Sequence, residues 1–246
     1  MIEIIQYPDY TSYPKVNLNE STIVYNLYTY QDLWNLGQIL ETYNHNNITP
    51  TVIIPWLIDG QADRRFTEDS SHNLKLVCKF LNSFKVEKYV IYHPHNPEVV
   101  EALLNNVKII DNSQFINAVI NSLNWRNIID DKGIRHDYNS ILMSADAGGF
   151  KSLMKLCDTI KWQGETISAS KSRVWNGKES VLIQSVPVED FKGKDILIVD
   201  DICIYGGTFK GLSKLLRERN CGKLYLAVSH MTVHSLQTDS ISNYFD

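Results

Sequence analysis

The sequence predicts an α/β protein of two similar parallel-sheet units, and three observations carry that prediction. Short apolar runs of strand length alternate with amphipathic runs of helical period along most of the chain, the pattern of repeated βαβ units. The alternation runs once to about residue 112 and begins again after a polar stretch. Residues 196–199, reading ILIV, form a continuous apolar run of the kind buried on both faces of a parallel sheet.

In the first unit, strand-like runs fall at residues 22–28, 51–55, 88–92 and 107–110, separated by helical patterns at 33–43, 74–84 and 97–104. Leu33, Leu36, Leu40 and Tyr43 share one helix face, as do Leu74, Val77, Leu81 and Phe84. Such stripes are core. After Asp111 a helix at 113–123 leads into the polar stretch RNIIDDKGIRHDYN, and strands resume at 140–144, 166–170, 181–185, 195–200 and 223–228. The boundary is placed near Asn112, giving units of residues 1–112 and 113–246. The tail SLQTDSISNYFD reads as helix entering another strand and then stopping, as in a shortened member of its class or a chain without its last strand and helix.

With 246 residues, 43% of them hydrophobic, the chain can bury one large or two modest cores. A formal charge of -4 and no long basic run give no electrostatic footprint for nucleic acid, so small-molecule ligands are expected. The opening MIEIIQYPDY has neither a basic n-region nor a long apolar stretch, and no run approaches a membrane span. A cytoplasmic protein without a membrane partner is expected, in a host cytoplasm if the Asn-, Ile- and Tyr-rich composition reflects an AT-rich phage genome. Cys78, Cys157, Cys203 and Cys221 are widely spaced with no Cys-x-x-Cys pair and read as reduced packing residues. A nucleophilic Cys203 would need a neighbouring base that the sequence does not show.

The most informative stretch is ILIVDDICIYGGTFKGLSKLL, residues 196–216. The buried strand delivers Asp200 and Asp201 at its carboxyl end. Gly206 and Gly207 then let a ligand approach the backbone, and Thr208 with the following amides forms the positive end of a helix through Leu212, Leu215 and Leu216. The arrangement suits a ribose carrying phosphate, with diol and metal facing the acids and phosphate facing the amides. On a plainer reading the acids cap the helix and the glycines only turn the chain.

Other strand ends repeat this logic. Ser144-Ala145-Asp146-Ala147-Gly148-Gly149 follows the strand ILMS and reads as a second anion cradle in the same sheet. His93-Pro94-His95 follows KYVIY, and in extended backbone the two imidazoles point the same way, toward a metal-bound nucleotide or simply into a satisfied polar contact. The run PWLIDGQADRR, residues 55–65, contains Gln61, Asp63 and Arg64 and ends in a cationic pair suited to phosphate oxygens or to surface ion pairs. Lys171 and Arg173 lie in ISASKSRVWNGK, read as a mobile basic loop able to close over transferring phosphoryl groups. No Gly-x-x-x-x-Gly-Lys-Ser/Thr run is present, so ATP binding by a P-loop is not expected.

The 196–216 motif resembles the phosphoribosyl-diphosphate-binding signature of type I phosphoribosyltransferases, and the pieces together occur in the order of the ribose-phosphate diphosphokinase (phosphoribosyl pyrophosphate synthetase) family. The resemblance implies two domains of phosphoribosyltransferase type I-like fold. It implies that the segment with Gln61, Asp63, Arg64 and His95 binds ATP, that His95 and Asp146 serve the Mg2+–nucleotide, and that Lys171 and Arg173 stabilise the transition state. It also implies that Asp200 and Asp201 hold the ribose hydroxyls, while Tyr205, Gly206, Gly207 and Thr208 line the 5-phosphate site. The implied reaction moves the β,γ-diphosphate of ATP to a ribose C1 hydroxyl and releases AMP, in a homo-oligomer.

Three departures qualify the resemblance. The usual ATP loop has Arg-Gln where this chain has Gln61-Ala62, and the N-terminal adenine loop survives only as Tyr7-Pro8-Asp9-Tyr10-Thr11. The third acid of the phosphate loop is replaced by Ile204, followed by Tyr205. Loss of one charged partner costs about 1.5–3 kcal/mol for the ordinary acceptor. The acceptor is therefore read as either ribose 5-phosphate or ADP-ribose, whose adenine would stack on Tyr205 and Trp175, as in phage enzymes that make ADP-ribose pyrophosphate for NAD synthesis. A catalytically weak regulatory homologue and a type I phosphoribosyltransferase are the alternatives.

Overall fold

The computed structural model describes residues 2–9, 11–125, 128–129, 135–136, 139–175, 180–237 and 239–246, with side chains left out at 128–129, 135–136, 173–175 and 180–182. The chain divides into two units, Met1–Asp111 and Asn112–Asp246. Each unit has its own parallel sheet.

The first unit opens with an antiparallel hairpin, β1 (Glu3–Gln6) and β2 (Ser12–Lys15). These strands have too few apolar residues to stand out in the sequence. Side chains tie the hairpin to the first helix: Ser12 Oγ donates to buried Asn35 Oδ1 at 3.0 Å, and Gln38 Nε2 donates to the Ser12 carbonyl at 2.8 Å. Then follow β3 (Thr22–Val24), α1 (Tyr30–His45), β4 (Thr51–Ile54), α2 (Asn73–Leu81), β5 (Lys88–Tyr92), α3 (Pro97–Leu103) and β6 (Val107–Ile110). The sheet order β3-β4-β5-β6 is sequential, and every pairing is parallel.

The expected strand at 22–28 is shorter, although Tyr25 and Leu27 still donate backbone hydrogen bonds to the Ile53 and Trp56 carbonyls. Helix α1 starts earlier than its apolar stripe because Thr29 and Asp32 form a reciprocal capping box. Leu36, Leu40, Leu74 and Leu81 are fully buried, with Tyr43 and Val77 nearly so, joining Val52, Ile54 and Ile91 from the sheet.

In the second unit, α4 (Ser113–Ser122) is followed by two-residue strands β7 (Ile128–Ile129) and β8 (Arg135–His136), in the stretch read as polar. Next come β9 (Ser140–Ser144), α5 (Ala147–Ile160), β10 (Glu165–Ser168), β11 (Ser170–Trp175), β12 (Ser180–Ser185), β13 (Asp195–Cys203), α6 (Gly207–Glu218) and β14 (Leu224–Met231). The parallel sheet has the order β10-β9-β13-β14. Alternate residues of the central strands enter opposite layers. Ile141, Met143, Ile196 and Ile198 pack with Phe209, Leu212 and Leu216 on one side, while Leu142, Leu197 and Val199 pack with Ile116, Leu153 and Cys157 on the other.

Two expectations need correction. The basic segment with Lys171 is not an irregular loop, and residues 181–185 are not a strand of the parallel sheet. They form one antiparallel hairpin, β11–β12, with Lys171 opposite Gln184 and Arg173 opposite Leu182. The closing Asn176-Gly177 and the side chains of Arg173 and Trp175 lie outside the described residues. The tail also differs: instead of helix and strand it makes two 3-10 turns, Val233–Leu236 and Ile241–Tyr244. Hydroxyls compete with helical bonding there. Ser235 Oγ donates to the Thr232 carbonyl at 2.8 Å, and Ser240 Oγ accepts from the Ser242 amide at 3.4 Å.

Candidate active site

The crossover from β9 through α5 leads to β10 on one side, whereas β13 through α6 leads to β14 on the other. The order therefore reverses between β9 and β13, and a parallel sheet opens a crevice at the carboxyl ends of such a strand pair. Asp146 follows β9, while Asp200, Asp201 and the phosphate-loop glycines belong to β13 and the turn after it. Pairing of β13 with β9 ends at Val199 opposite Ser144, but pairing with β14 continues to Cys203 opposite Met231. The two acids thus lie within the strand, beyond the last residue of β9, and the strand runs three residues past its expected end at Asp200.

Neither acid caps α6. Its N-cap is Gly206, at φ +77°, with no side-chain cap among the described residues, so the plainer reading of the motif fails. Asp200 instead accepts the Asp201 amide at 2.9 Å. Burial pushes the Asp200 carboxyl up to about 7, and the adjacent Asp201 charge adds to the shift. Such a pair holds negative charge that a cation or the hydroxyls of a diol would relieve.

Gly206 Cα faces the buried Ile241 side chain, so an added Cβ would lie 2.9 Å from Ile241 Cδ1. Beside Gly207 there is open space. Gly206→Ala therefore meets both a left-handed backbone and a tight neighbour. It is expected to destabilise the second unit by about 1–2 kcal/mol in urea melts. Unchanged stability would show that Ile241 does not lock the turn.

Asp146 does what Asp200 and Asp201 do not: it is the N-cap of α5, and its Oδ1 accepts the Gly149 amide at 3.0 Å. The second anion cradle read from the sequence is thus occupied by the chain's own carboxylate. The other oxygen pairs with the Lys171 ammonium. Burial pushes the Asp146 carboxyl up, but Lys171 and the Gly149 and Gly148 amides outweigh it and hold the group below the usual carboxylate range. Gln184, opposite Lys171, donates from Nε2 to the Thr208 carbonyl at 2.9 Å. The hairpin that bears Lys171 is thereby pinned to the phosphate-loop helix. Gln184 carried no signal while residues 181–185 read as a sheet strand; its place opposite Lys171 in a hairpin would have given one.

In the first unit, Asp63 and His95 sit in loops joined by a residue that the sequence reading missed. Asn96 Nδ2 donates to Asp63 Oδ2 at 2.7 Å, while Asn96 Oδ1 caps α3 by accepting the Val99 amide at 3.2 Å. The Asn-Pro step ahead of a helical run was the available signal. The parallel imidazoles are not realised, because His93 has φ +35° and the backbone is not extended there. His95, Gln61 and Arg64 are exposed, the Arg64 guanidinium lying 6.0 Å from the Phe66 ring centroid. Burial raises the Cys203 thiol above its ordinary range, which fits a packing residue rather than a nucleophile. All four cysteines are free.

Comparison with known proteins bears on this arrangement. A family model described as phosphoribosyl transferase domain matches residues 100–244. A ribose-phosphate pyrophosphokinase from Sulfurisphaera tokodaii is 25% identical over 241 residues, covering 95% of this chain and 76% of that protein. Its namesake from Saccharolobus solfataricus is 25% identical over 181 residues, covering 74% of this chain but only 57% of the relative. The crystal structure of phosphoribosylpyrophosphate synthetase from Mycobacterium smegmatis superposes with a TM-score of 0.73 at 15% identity, over 95% of this chain and 74% of that one. The chain therefore belongs to the phosphoribosyl transferase domain family, and its resemblance to the ribose-phosphate diphosphokinases extends over nearly its whole length.

Proposed function

We propose that this protein is an ATP-dependent diphosphokinase acting on a ribose 5-phosphate-type acceptor. The observation that supports it most is the pair Asp200–Asp201 at the β9–β13 crevice, one carboxyl pushed toward neutrality, followed by helix amides that no side chain caps among the described residues. In this reading the acids orient the ribose hydroxyls and the Gly206-Gly207-Thr208 amides receive the 5-phosphate. The C1 hydroxyl oxygen bonds to the β-phosphorus of ATP and loses its proton, the bond from that phosphorus to the α-phosphate bridge breaks, and AMP leaves. Lys171 and Arg173 neutralise charge growing on the transferred diphosphate. Gln61, Asp63, Arg64 and His95 are the nucleotide contacts that the family resemblance implies, with Asn96 holding Asp63.

No group of three or more His, Cys, Asp or Glu side chains poised to hold a metal occurs among the described residues. Mg2+ needs no such group, because one or two carboxylates hold it together with substrate phosphates. Asp146 and His95 are the residues proposed to serve it, and Asp200 and Asp201 carry the charge that fits it. When bound, Mg2+ would supply positive charge that offsets the charge of the phosphates.

The acceptor is ribose 5-phosphate, giving phosphoribosyl pyrophosphate, or ADP-ribose, giving ADP-ribose pyrophosphate for NAD synthesis. Ile204 in place of an acid and the exposure of Tyr205 favour the larger one. No helix among the described residues is long and apolar enough to cross a membrane; a cytoplasmic location is part of the proposal. A homo-oligomer belongs to the proposal through the resemblance to the ribose-phosphate pyrophosphokinases.

The decisive assay incubates the full chain with Mg2+, ATP and either acceptor, and follows products by chromatography with mass detection. AMP formed in step with a pyrophosphorylated acceptor is the expected result. Release of pyrophosphate from phosphoribosyl diphosphate instead would identify a phosphoribosyltransferase, and silence with both acceptors would identify a regulatory homologue.

A further inference from the structure

Tyr205, one residue ahead of the phosphate-loop glycines, leaves 69% of its surface open. Its ring lies 5.3 Å, centroid to centroid, from the imidazole of His234, with the planes 33° apart. His234 comes from the first 3-10 turn of the tail and had no distinguishing signal in the sequence.

The pair stands on a fixed base. Thr232 Oγ1 donates to the Ile204 carbonyl at 2.6 Å, and the Thr232 amide donates to the Cys203 carbonyl at 3.0 Å. Ser235 is buried and bonds the Thr232 carbonyl, while Ile241 is buried against Gly206. The tail thus fixes both the phosphate turn and the ring beside it. Exposed Met231, Val233 and Leu236 extend the apolar surface around His234. Two open, mutually tilted rings on a backbone held by these bonds form a platform for a flat partner, since little backbone ordering remains to oppose binding.

The chemistry around the platform restricts that partner. Position 204 is Ile, so no carboxylate there repels a second phosphate attached to the first. A ring nitrogen of His234 is a donor available to phosphate oxygen.

We propose that Tyr205 and His234 form a stacking wall that selects acceptors whose ribose 5-phosphate continues through a further phosphate to an aromatic base, the ribose end of a nucleoside diphosphate sugar. This inference rests on the diphosphokinase reading and adds His234 to it as a specificity-determining residue. An aromatic pair that only packs the tail would affect all acceptors alike; a wall affects the extended one.

The test measures equilibrium binding of ADP-ribose and ribose 5-phosphate to the full chain by calorimetry, without ATP. Wild type should bind ADP-ribose about tenfold or more tightly than ribose 5-phosphate, the gain expected from one stacked base. The ratio should collapse toward one in Tyr205→Ala and His234→Ala and be largely restored in His234→Phe, which keeps a flat ring. A wild-type ratio near one, or a ratio unchanged in both alanine variants, overturns the wall while leaving the diphosphokinase reading intact. Binding of neither ligand overturns the functional reading and the wall together. Circular dichroism on each variant separates loss of the wall from loss of the fold.

Discussion

Lys171→Ala is expected to lower kcat by about a hundredfold or more, with the apparent affinity for the acceptor changed only a few-fold. The magnitude follows from removing a cation proposed to meet charge that grows only in the transition state. Lys171 has the position for this role: it stands on a hairpin pinned to α6 through Gln184, and its ammonium already meets the Asp146 carboxylate at the sheet's switch point. The variant should remain folded. The Lys171 side chain is 42% exposed, and a pair that open to water contributes at most about 1 kcal/mol. Lys171→Arg, which keeps the charge, should recover much of the loss. A rise in KM with kcat intact would instead assign Lys171 to ground-state binding, and a kcat equal to wild type would remove it from the mechanism.

Asp146 and the Asp200–Asp201 pair show how far the sequence could carry the site. Both lie between an apolar strand and a Gly-Gly helix start, and by pattern alone they read as two versions of one device. Spacing separates them. Asp146 immediately precedes its helix, so its carboxylate reaches the amide three residues on, that of Gly149, and fills the helix end. Asp200 and Asp201 precede Gly206 by at least five residues, too far to reach back, and the amides of α6 stay available to an outside anion. The N-cap rule contained this distinction; the resemblance of the two loops hid it.

The hairpin and the tail were illegible for a different reason. Parallel strands and their helices advertise themselves because each buries a periodic apolar face. Strands β11 and β12 form a two-stranded ribbon outside the parallel sheet, so SASKSR offers no alternation for a core to impose. The tail's position depends on a few bonds between residues far apart in sequence, such as Thr232 to Ile204 and Lys210 to Asp239, and on one buried side chain, Ile241. No local period encodes contacts of that kind. The aromatic wall depends on them, and for that reason Tyr205 stood out in the sequence and His234 did not.

Asp200→Asn is expected to stabilise the ligand-free protein at pH 8 while abolishing diphosphate transfer. Burial and the neighbouring Asp201 push the Asp200 carboxyl up to about 7 from an ordinary 3.8, so the folded state favours its protonated form. The sign follows by linkage. Stability from that protonated carboxyl is fully present below about pH 4 and is lost as pH rises through about 7. Three units correspond to an upper bound on the order of 4 kcal/mol, shared across a pair that titrates jointly. An amide of the same shape never ionises and escapes this loss. Urea melts should therefore show variant and wild type within about 0.5 kcal/mol at pH 4, where Asp200 is largely protonated, and the variant ahead by about 1–3 kcal/mol at pH 8. Saturating acceptor with Mg2+ should reverse the order, because ligands that favour the ionised pair stabilise only the wild type. Equal stability of the two proteins at pH 8 would mean that Asp200 ionises without penalty, and the charge held at the crevice would then not be what draws substrate there. A stable variant without activity is the result the proposed function expects, since the charge that weakens the empty fold is the same charge proposed to orient the ribose.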